Sequence, residues 1–140
     1  MPDQSNKTPK RILAVDDDLH MRIFLTTLFK TAGFEIEVTR DGREGMKKAR
    51  EHPPDLFVLD VMMPAEGGVP MYRQLKTDDE LKHIPVIMLS GVEGATFSHS
   101  LKLLNAAGGQ SLPEPAGYME KPPDPDRLLQ MVTELLCDSG

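Results

Sequence analysis

The sequence predicts an α/β fold in which helices cover both faces of a five-stranded parallel sheet. Short apolar runs typical of strands alternate five times with segments whose apolar residues recur every three or four positions, as strands and helices do when they follow one another along a chain. The runs over 56–59 and 84–89 are continuously apolar, which is typical of parallel strands buried on both faces. The 140 residues suffice for one such domain, and they contain no internal repeat.

The five strands are predicted from their side-chain patterns. Residues 12–15 are apolar throughout and form the first strand. Residues 34–38 alternate between apolar and acidic side chains, which predicts a half-buried strand at the edge of the sheet. Residues 56–59 and 84–89 form the third and fourth strands, and 117–121 form a short last strand.

Three helices are predicted after the first three strands. Their apolar positions are, in order, Met21, Leu25, Leu28 and Ala32, then Met46 and Ala49, then Met71 and Leu75. Gly33 is expected to end the first helix as its C-cap, because glycine adopts positive φ without strain. The stretch "HPP" over 52–54 is expected to end the second helix.

Two further helices are predicted in the last third of the chain. The fourth lies over 95–107, with Leu101 and Leu104 facing inward. The last begins after Asp124, which suits an N-cap, with Pro125 in its first position. Its apolar positions are Leu128, Val132 and Leu135.

Composition and charge exclude several classes of function. The net charge of −6 leaves no basic face for direct nucleic acid binding. No apolar run reaches the roughly 18 residues that span a bilayer, and the first ten residues lack the apolar core of a secretory signal. One cysteine, Cys137, is compatible with a reducing compartment. We expect a cytoplasmic protein with a flexible tail over 1–9, a single domain over 10–138 and no output domain.

Polar side chains stand where the predicted strands end. Asp16 and Asp17 follow the first strand and Asp60 the third, while Ser90 follows the fourth and Lys121 ends the fifth. The carboxyl ends of parallel strands meet at one edge of a sheet, where ligands bind. Each residue alone has a plain structural explanation as a cap, turn or solvated side chain, but five at one edge predict a site.

The charges of these residues indicate a particular chemistry. Clustered carboxylates bind a hard divalent cation, and Mg²⁺ needs only one or two of them together with water. An aspartate can then act as a nucleophile and form an acyl phosphate. Mg²⁺ and Lys121 would neutralise the phosphoryl oxygens, and Ser90 would donate a hydrogen bond to one of them. Asp18, by contrast, is expected to act only as a helix N-cap.

Four segments together resemble the receiver domain of two-component response regulators. They are "ILAVDDD", "PDLFVLDVMMP", "IPVIMLSG" and "GYMEKP", in the order that the family has them. The resemblance covers 11–136, nearly the whole chain. It implies a flavodoxin-like, doubly wound sheet with strand order 2-1-3-4-5.

The resemblance also implies roles in binding metal and phosphoryl group. Asp60 corresponds to the phosphoacceptor, and Asp16 and Asp17 to the acidic pair that binds Mg²⁺ or Mn²⁺ with it. Met62 would offer its backbone carbonyl to the metal. Lys121 corresponds to the invariant lysine of the family.

A conformational switch is implied by the same resemblance. Ser90 corresponds to the switch hydroxyl and Tyr118 to the switch aromatic, and the Lys121–Pro122 peptide bond is expected to be cis. Phosphorylation would draw Ser90 toward the phosphoryl group and let Tyr118 turn inward. The surface of the fourth predicted helix, the last strand and the last helix would then change for a partner.

The implied partners are proteins. A sensor histidine kinase or a histidine phosphotransfer protein would be the phosphoryl donor, and an unknown downstream protein or a second copy of the chain, in a phosphorylation-dependent homodimer, would read the switched surface. The chain would not be an enzyme beyond catalysing its own phosphorylation and dephosphorylation. Membranes and nucleic acid are not expected as direct partners.

Other interpretations are weaker or stay open. A haloacid-dehalogenase-type phosphatase needs a second aspartate where Met62 stands, and a dinucleotide-binding fold needs glycines where "DDDLHM" stands. A degenerate receiver that only docks proteins stays open. Lys121 follows Ser90 by 31 positions, a longer interval than is usual in the family. The surplus around 108–117 is either a tolerated loop insertion or a dedicated binding element.

Overall fold

The computed structural model describes residues 9–60, 68–90 and 113–137, with the backbone alone described at 68–70, 90 and 137. Five parallel strands form one sheet in the order β2-β1-β3-β4-β5. They are β1 (Arg11–Val15), β2 (Glu35–Thr39), β3 (Leu56–Asp60), β4 (Val86–Ser90) and β5 (Gly117–Glu120). The order confirms the predicted flavodoxin-like arrangement and leaves the alternating strand β2 at an edge.

Four helices lie in the described part of the chain. They are α1 (Leu19–Thr31), α2 (Gly42–Glu51), α3 (Gly68–Lys76) and α4 (Pro125–Cys137). None of these described helices is long and apolar enough to cross a membrane. The predicted tail up to residue 8, the site residue Met62, the predicted helix over 95–107 and the first half of the 108–117 segment, 108–112, lie outside the described residues.

The core consists of two clusters of buried side chains on opposite faces of the sheet. Strand residues alternate between the faces: Leu13 and Val15 belong to the cluster that α2 and α3 cover, and Ile12 and Ala14 to the cluster that α1 and α4 cover. β3 is buried along its whole length, as its continuous apolar run predicts. Each large apolar side chain buried here contributes about 1.5–3 kcal/mol.

The two predicted N-caps are present, whereas the C-cap of α1 is Ala32, one residue before the expected Gly33. The Asp18 side chain accepts a hydrogen bond from the backbone N–H of His20 at the start of α1. Gly33 follows the end of α1 with φ of 95°, a conformation that favours glycine. At the start of α4, the backbone N–H of Arg127 donates to Asp124 Oδ2 over 3.0 Å.

Two predictions of inward helix positions need correction. In α1 the buried side chains are Leu25 and Phe29, while Leu28 is half-buried and Ala32 is exposed. In α4 the buried residues are Leu128, Val132 and Leu136, and Leu135 is only half-buried. Both helices therefore contact the sheet along a ridge of residues four positions apart, whereas the predictions mixed spacings of three and four.

The predicted start of the fourth strand is also wrong. β4 begins at Val86, two residues later than expected, because Pro85 has no N–H to donate to a neighbouring strand. Ile84 is nevertheless only 4% exposed, and its carbonyl accepts a hydrogen bond from Lys76 Nζ. Burial of Ile84 thus explains why its sequence position looks like part of the strand.

Candidate metal and phosphoacceptor site

The candidate site lies at the edge of the sheet where the strands end. Asp16 directly follows β1, Asp60 is the last residue of β3, and Lys121 directly follows β5. Ser90 is the last residue of β4, paired in register with Glu120. The parallel sheet therefore brings to one edge the residues that the sequence placed at the strand ends.

Three carboxylates converge at this edge. Asp16, Asp17 and Asp60 each offer one oxygen, and these three atoms lie within 4.8 Å of one another. Asp16 and Asp60 are 1% and 3% exposed, whereas Asp17 is exposed. Two negative charges at this separation repel by about 3 kcal/mol near a protein surface. The cluster thus has a buried base, an open side and a strong need for positive charge.

The Lys121 ammonium supplies part of that positive charge. Its Nζ lies 2.7 Å from Asp16 Oδ2 and 3.2 Å from Asp60 Oδ2. Burial by itself lowers the pKa of Lys121, but the hydrogen bonds and charges of Asp16 and Asp60 outweigh burial and raise the pKa above its ordinary value. Lys121 is therefore held as a cation, and one ammonium leaves the three carboxylates with an excess of negative charge.

The remaining charge fits a hard divalent cation. Carboxylate oxygens are the ligands that Mg²⁺ prefers, and the ion commonly takes one or two from the protein while keeping several waters. The exposed Asp17 leaves one side of the cluster open to water and to a phosphoryl group. The donor chemistry and the access of this cluster therefore suit Mg²⁺.

Backbone contacts fix the turn that carries the acidic pair. The N–H of Asp16 donates to the Thr39 carbonyl at the end of β2 over 3.1 Å. Asp16 Oδ1 accepts a hydrogen bond of 2.9 Å from the N–H of Asp18. Arg22 of α1 reaches back, and its Nη1 donates to the Asp16 carbonyl over 2.9 Å. Sequence reasoning did not single out Arg22, although its place in the first turn of the helix that follows the acidic pair is the available signal.

The other predicted site residues are placed to different extents. The Lys121–Pro122 peptide bond is cis, as expected. Tyr118 lies beside Met88 in the sheet and packs, partly buried, against the cluster that α2 and α3 cover. Ser90 is described by its backbone alone, and Met62 lies outside the described residues. The structure thus assembles Asp16, Asp17, Asp60 and Lys121 and gives Ser90 a strand-end position.

Comparison with known proteins gives a consistent result. The family model described as "Response regulator receiver domain" matches residues 12–133. The polar-differentiation response regulator DivK of Brucella anthropi is 33% identical over 132 residues, which cover 94% of this chain and 99% of that protein. DivK of Brucella ovis is 30% identical over the same shares of the two chains.

Solved structures resemble both fold and sequence. The chemotaxis response regulator CheY4 of Vibrio cholerae superposes with a TM-score of 0.76 at 29% identity, covering 92% of this chain and 100% of that one. The signal receiver domain of a histidine kinase from Syntrophus aciditrophicus gives a TM-score of 0.78 at 28% identity, with 92% and 91% covered. The similarity therefore extends over nearly the full length of each chain.

Proposed function

Because the chain belongs to the response regulator receiver domain family of two-component signalling, we propose that it accepts a phosphoryl group on Asp60 in a Mg²⁺-dependent reaction. The observation that carries this proposal is the buried Asp60 carboxylate, which shares Lys121 with Asp16 and has a second, exposed carboxylate beside it. A buried cluster of like charges is costly unless a counter-ion occupies it. We therefore infer that the cluster binds a cation and a phosphoryl group.

The proposed reaction transfers the phosphoryl group from a phosphohistidine to Asp60. A carboxylate oxygen of Asp60 forms a bond to phosphorus, and the bond from phosphorus to the donor imidazole nitrogen breaks with its electron pair leaving on that nitrogen. Asp16, Asp17 and Asp60 would hold Mg²⁺, which supplies charge neutralisation at the phosphoryl oxygens. Lys121 would exchange its contact with Asp60 for one with a phosphoryl oxygen.

The proposed output is a change in the surface near β5. Ser90 would move toward the phosphoryl group on Asp60, and the partly buried Tyr118 would turn into the space that Ser90 vacates. The donor would be a histidine kinase or a histidine phosphotransfer protein in the cytoplasm. A downstream protein, or a second copy of this chain, would bind the altered surface. The chain would act on its own Asp60 and on no separate substrate.

Intact-mass measurement tests the phosphoacceptor. Incubation with Mg²⁺ and acetyl phosphate should add one phosphoryl group to the wild-type chain. We expect no gain in mass in Asp60→Asn, and none when EDTA removes the metal. A wild-type chain that stays unmodified would support the docking module instead, and an equal gain in Asp60→Asn would exclude Asp60 as the acceptor.

Thermal unfolding tests the metal site without a phosphoryl donor. Mg²⁺ should raise the melting temperature of the wild type because it binds the folded chain preferentially. Asp17→Ala should abolish that gain and, since Asp17 is exposed, should leave the chain folded in EDTA. Asp79→Ala is the matched control, since Asp79 is a highly exposed aspartate paired with Lys82 over 3.4 Å. An equal Mg²⁺ response in Asp17→Ala and the control would contradict the metal assignment.

A further inference from the structure

We propose that Arg22 is a positioning residue for the metal site: its guanidinium holds the Asp16 carbonyl and so fixes the place from which Asp17 reaches the cation. This inference rests on the proposed Mg²⁺ site and adds a residue to it. Arg22 lies in α1, outside the group of residues at the strand ends. Its role would be to orient a ligand rather than to bind metal or phosphoryl group.

The geometry of the contact is specific. Arg22 Nη1 donates to the backbone oxygen of Asp16 over 2.9 Å in a partly buried position. The backbone N–H of Arg22 also donates to the Asp18 carbonyl over 3.0 Å, within the first turn of α1. The side chain therefore folds back over the helix N-terminus to reach the residue that precedes the helix. The backbone N–H and the guanidinium of Arg22 therefore both bond to the turn that carries the acidic pair.

The contact directs a positive charge toward the N-terminal end of α1, where helices favour negative charge. The N-terminal end of a helix carries partial positive charge, and a cation there loses about 0.3–1 kcal/mol of stability relative to the C-terminal end. Arg22 nevertheless directs its charge toward the N-terminus of α1. The hydrogen bond from Arg22 Nη1 to the Asp16 carbonyl is the interaction that offsets this cost.

The planar peptide bond transmits the restraint from Arg22 to Asp17. The Asp16 carbonyl oxygen, the Asp17 nitrogen and the Asp17 Cα share one plane, so holding the oxygen orients the start of Asp17. Within the described residues, the exposed Asp17 side chain makes no hydrogen bond or ion pair of its own. Its direction therefore depends on its backbone, and Arg22 holds that backbone on one side.

Because Arg22 bonds to a backbone carbonyl, the carboxylates of the cluster stay available to bind metal. Lys121 contacts oxygens of Asp16 and Asp60 that belong to the acidic cluster. Arg22, by contrast, bonds to the backbone oxygen of Asp16. Arg22 can thus orient Asp17 without competing with Mg²⁺ for a carboxylate oxygen.

The expected effect of removing Arg22 is a weaker metal site. Mg²⁺ requires nearly ideal octahedral geometry, and loss of a group that orients a metal ligand typically weakens affinity by about 10- to 100-fold. We expect Arg22→Met, which keeps the length of the side chain and removes the donor, to bind Mg²⁺ about tenfold more weakly. Arg22→Lys keeps a charged donor of similar reach and should retain most of the wild-type affinity for Mg²⁺.

Calorimetric titration of the full chain with Mg²⁺, without any phosphoryl donor, measures the effect directly. Lys30→Met is the matched control because it removes one positive charge from the far end of the same helix, and it should bind Mg²⁺ nearly as the wild type does. Urea unfolding of each variant in EDTA shows separately whether the fold is affected. Phosphorylation by acetyl phosphate adds a second readout, because saturating Mg²⁺ should restore the rate in Arg22→Met.

The outcomes distinguish this inference from the function on which it rests. If the wild type binds Mg²⁺ and Arg22→Met binds it equally well, the role of Arg22 is wrong and the metal site stands. If the wild type does not bind Mg²⁺, both are wrong. Equal losses of affinity in Arg22→Met and Arg22→Lys, with matching losses of stability in EDTA, would show a purely structural role and overturn the inference.

Discussion

Two half-buried lysines, Lys121 and Lys76, show how differently this fold treats a buried positive charge. Lys121 lies between Asp16 and Asp60, and their charges raise its pKa despite burial. Lys76 donates from Nζ to the carbonyls of Lys82 and Ile84, each over 3.0 Å, and burial lowers its pKa. Opposite pKa shifts in the same residue type therefore report the charge of the surroundings.

The difference teaches which buried lysine belongs to a functional site. At Lys76 the ammonium serves as a hydrogen-bond donor that joins the end of α3 to the residues before β4, and its charge is a cost. At Lys121 the charge itself is required, because the neighbouring carboxylates would otherwise lack a counter-charge. A buried lysine alone indicates little, whereas a lysine that faces an excess of carboxylates indicates anion or metal chemistry.

The largest expected effect is the loss of stability in Lys121→Met. Without the ammonium, the buried Asp16 and Asp60 carboxylates lose the positive charge that lies between them. Breaking such a buried charge pair typically lowers the free energy of unfolding by about 3 kcal/mol. Urea unfolding in EDTA at neutral pH measures this loss, and Mg²⁺ should recover part of it by replacing the missing charge. Lys76→Met is the matched control. A loss no larger than that of the control would remove the distinction between the two lysines.

A smaller effect is expected from Tyr72, whose ring lies 5.8 Å from Lys76 Nζ. Burial, with a contribution from the charge of Glu114, raises the pKa of Tyr72 from 10.0 to about 12. The folded chain therefore keeps the phenol proton where the unfolded chain loses it, and stability should fall as pH rises above 10.0 toward about 12. The loss reaches about 2 kcal/mol.

Tyr72→Phe separates this titration from the other alkaline effects. The hydroxyl donates to the Pro113 carbonyl over 2.6 Å, so its removal should cost about 1 kcal/mol at neutral pH. The alkaline decline of stability should be correspondingly shallower in this variant. Tyr118→Phe, which removes the other of the two tyrosine hydroxyls, is the matched control. Parallel pH profiles for wild type and Tyr72→Phe would contradict the assignment.

The same contrast explains which features could be predicted from the sequence. Asp60 and Lys121 could be predicted as site residues because apolar runs mark where the strands end, and a parallel topology then brings those ends together. Asp18 and Asp124 could be predicted as N-caps because capping depends only on residues close in the sequence. The strand order itself came from the family resemblance, since alternation of strands and helices does not specify which strands are neighbours.

Other features depend on contacts that the sequence does not encode locally. Lys76, Tyr72 and Arg22 all bond to backbone carbonyls, and because every residue has a carbonyl, no side-chain pattern marks the partner. The burial of Phe29 in place of Leu28 depends on the angle at which α1 lies on the sheet, which sets whether neighbours three or four positions apart face inward. These residues became interpretable only with tertiary structure.

The smallest expected effect is that of Lys76→Met near neutral pH. Removing the ammonium leaves the carbonyls of Lys82 and Ile84 without this donor, at a cost of about 1 kcal/mol, but it also relieves the burial of a charge. Because burial lowers the pKa of Lys76 in the folded chain, the unfolded chain binds the proton more strongly. Wild-type stability should therefore rise relative to Lys76→Met as pH increases through the interval between the lowered pKa and 10.5.

Urea unfolding of both chains in a Tyr72→Phe background, from about pH 8 to about pH 10.5, measures this difference apart from the phenol titration. The deficit of Lys76→Met should be smallest at the lower pH and should grow as the wild-type ammonium loses its proton. A deficit that shrinks with rising pH would mean that the charge of Lys76 stabilises the fold. Lys76 would then resemble Lys121, and the contrast between a required and a tolerated charge would have to be abandoned.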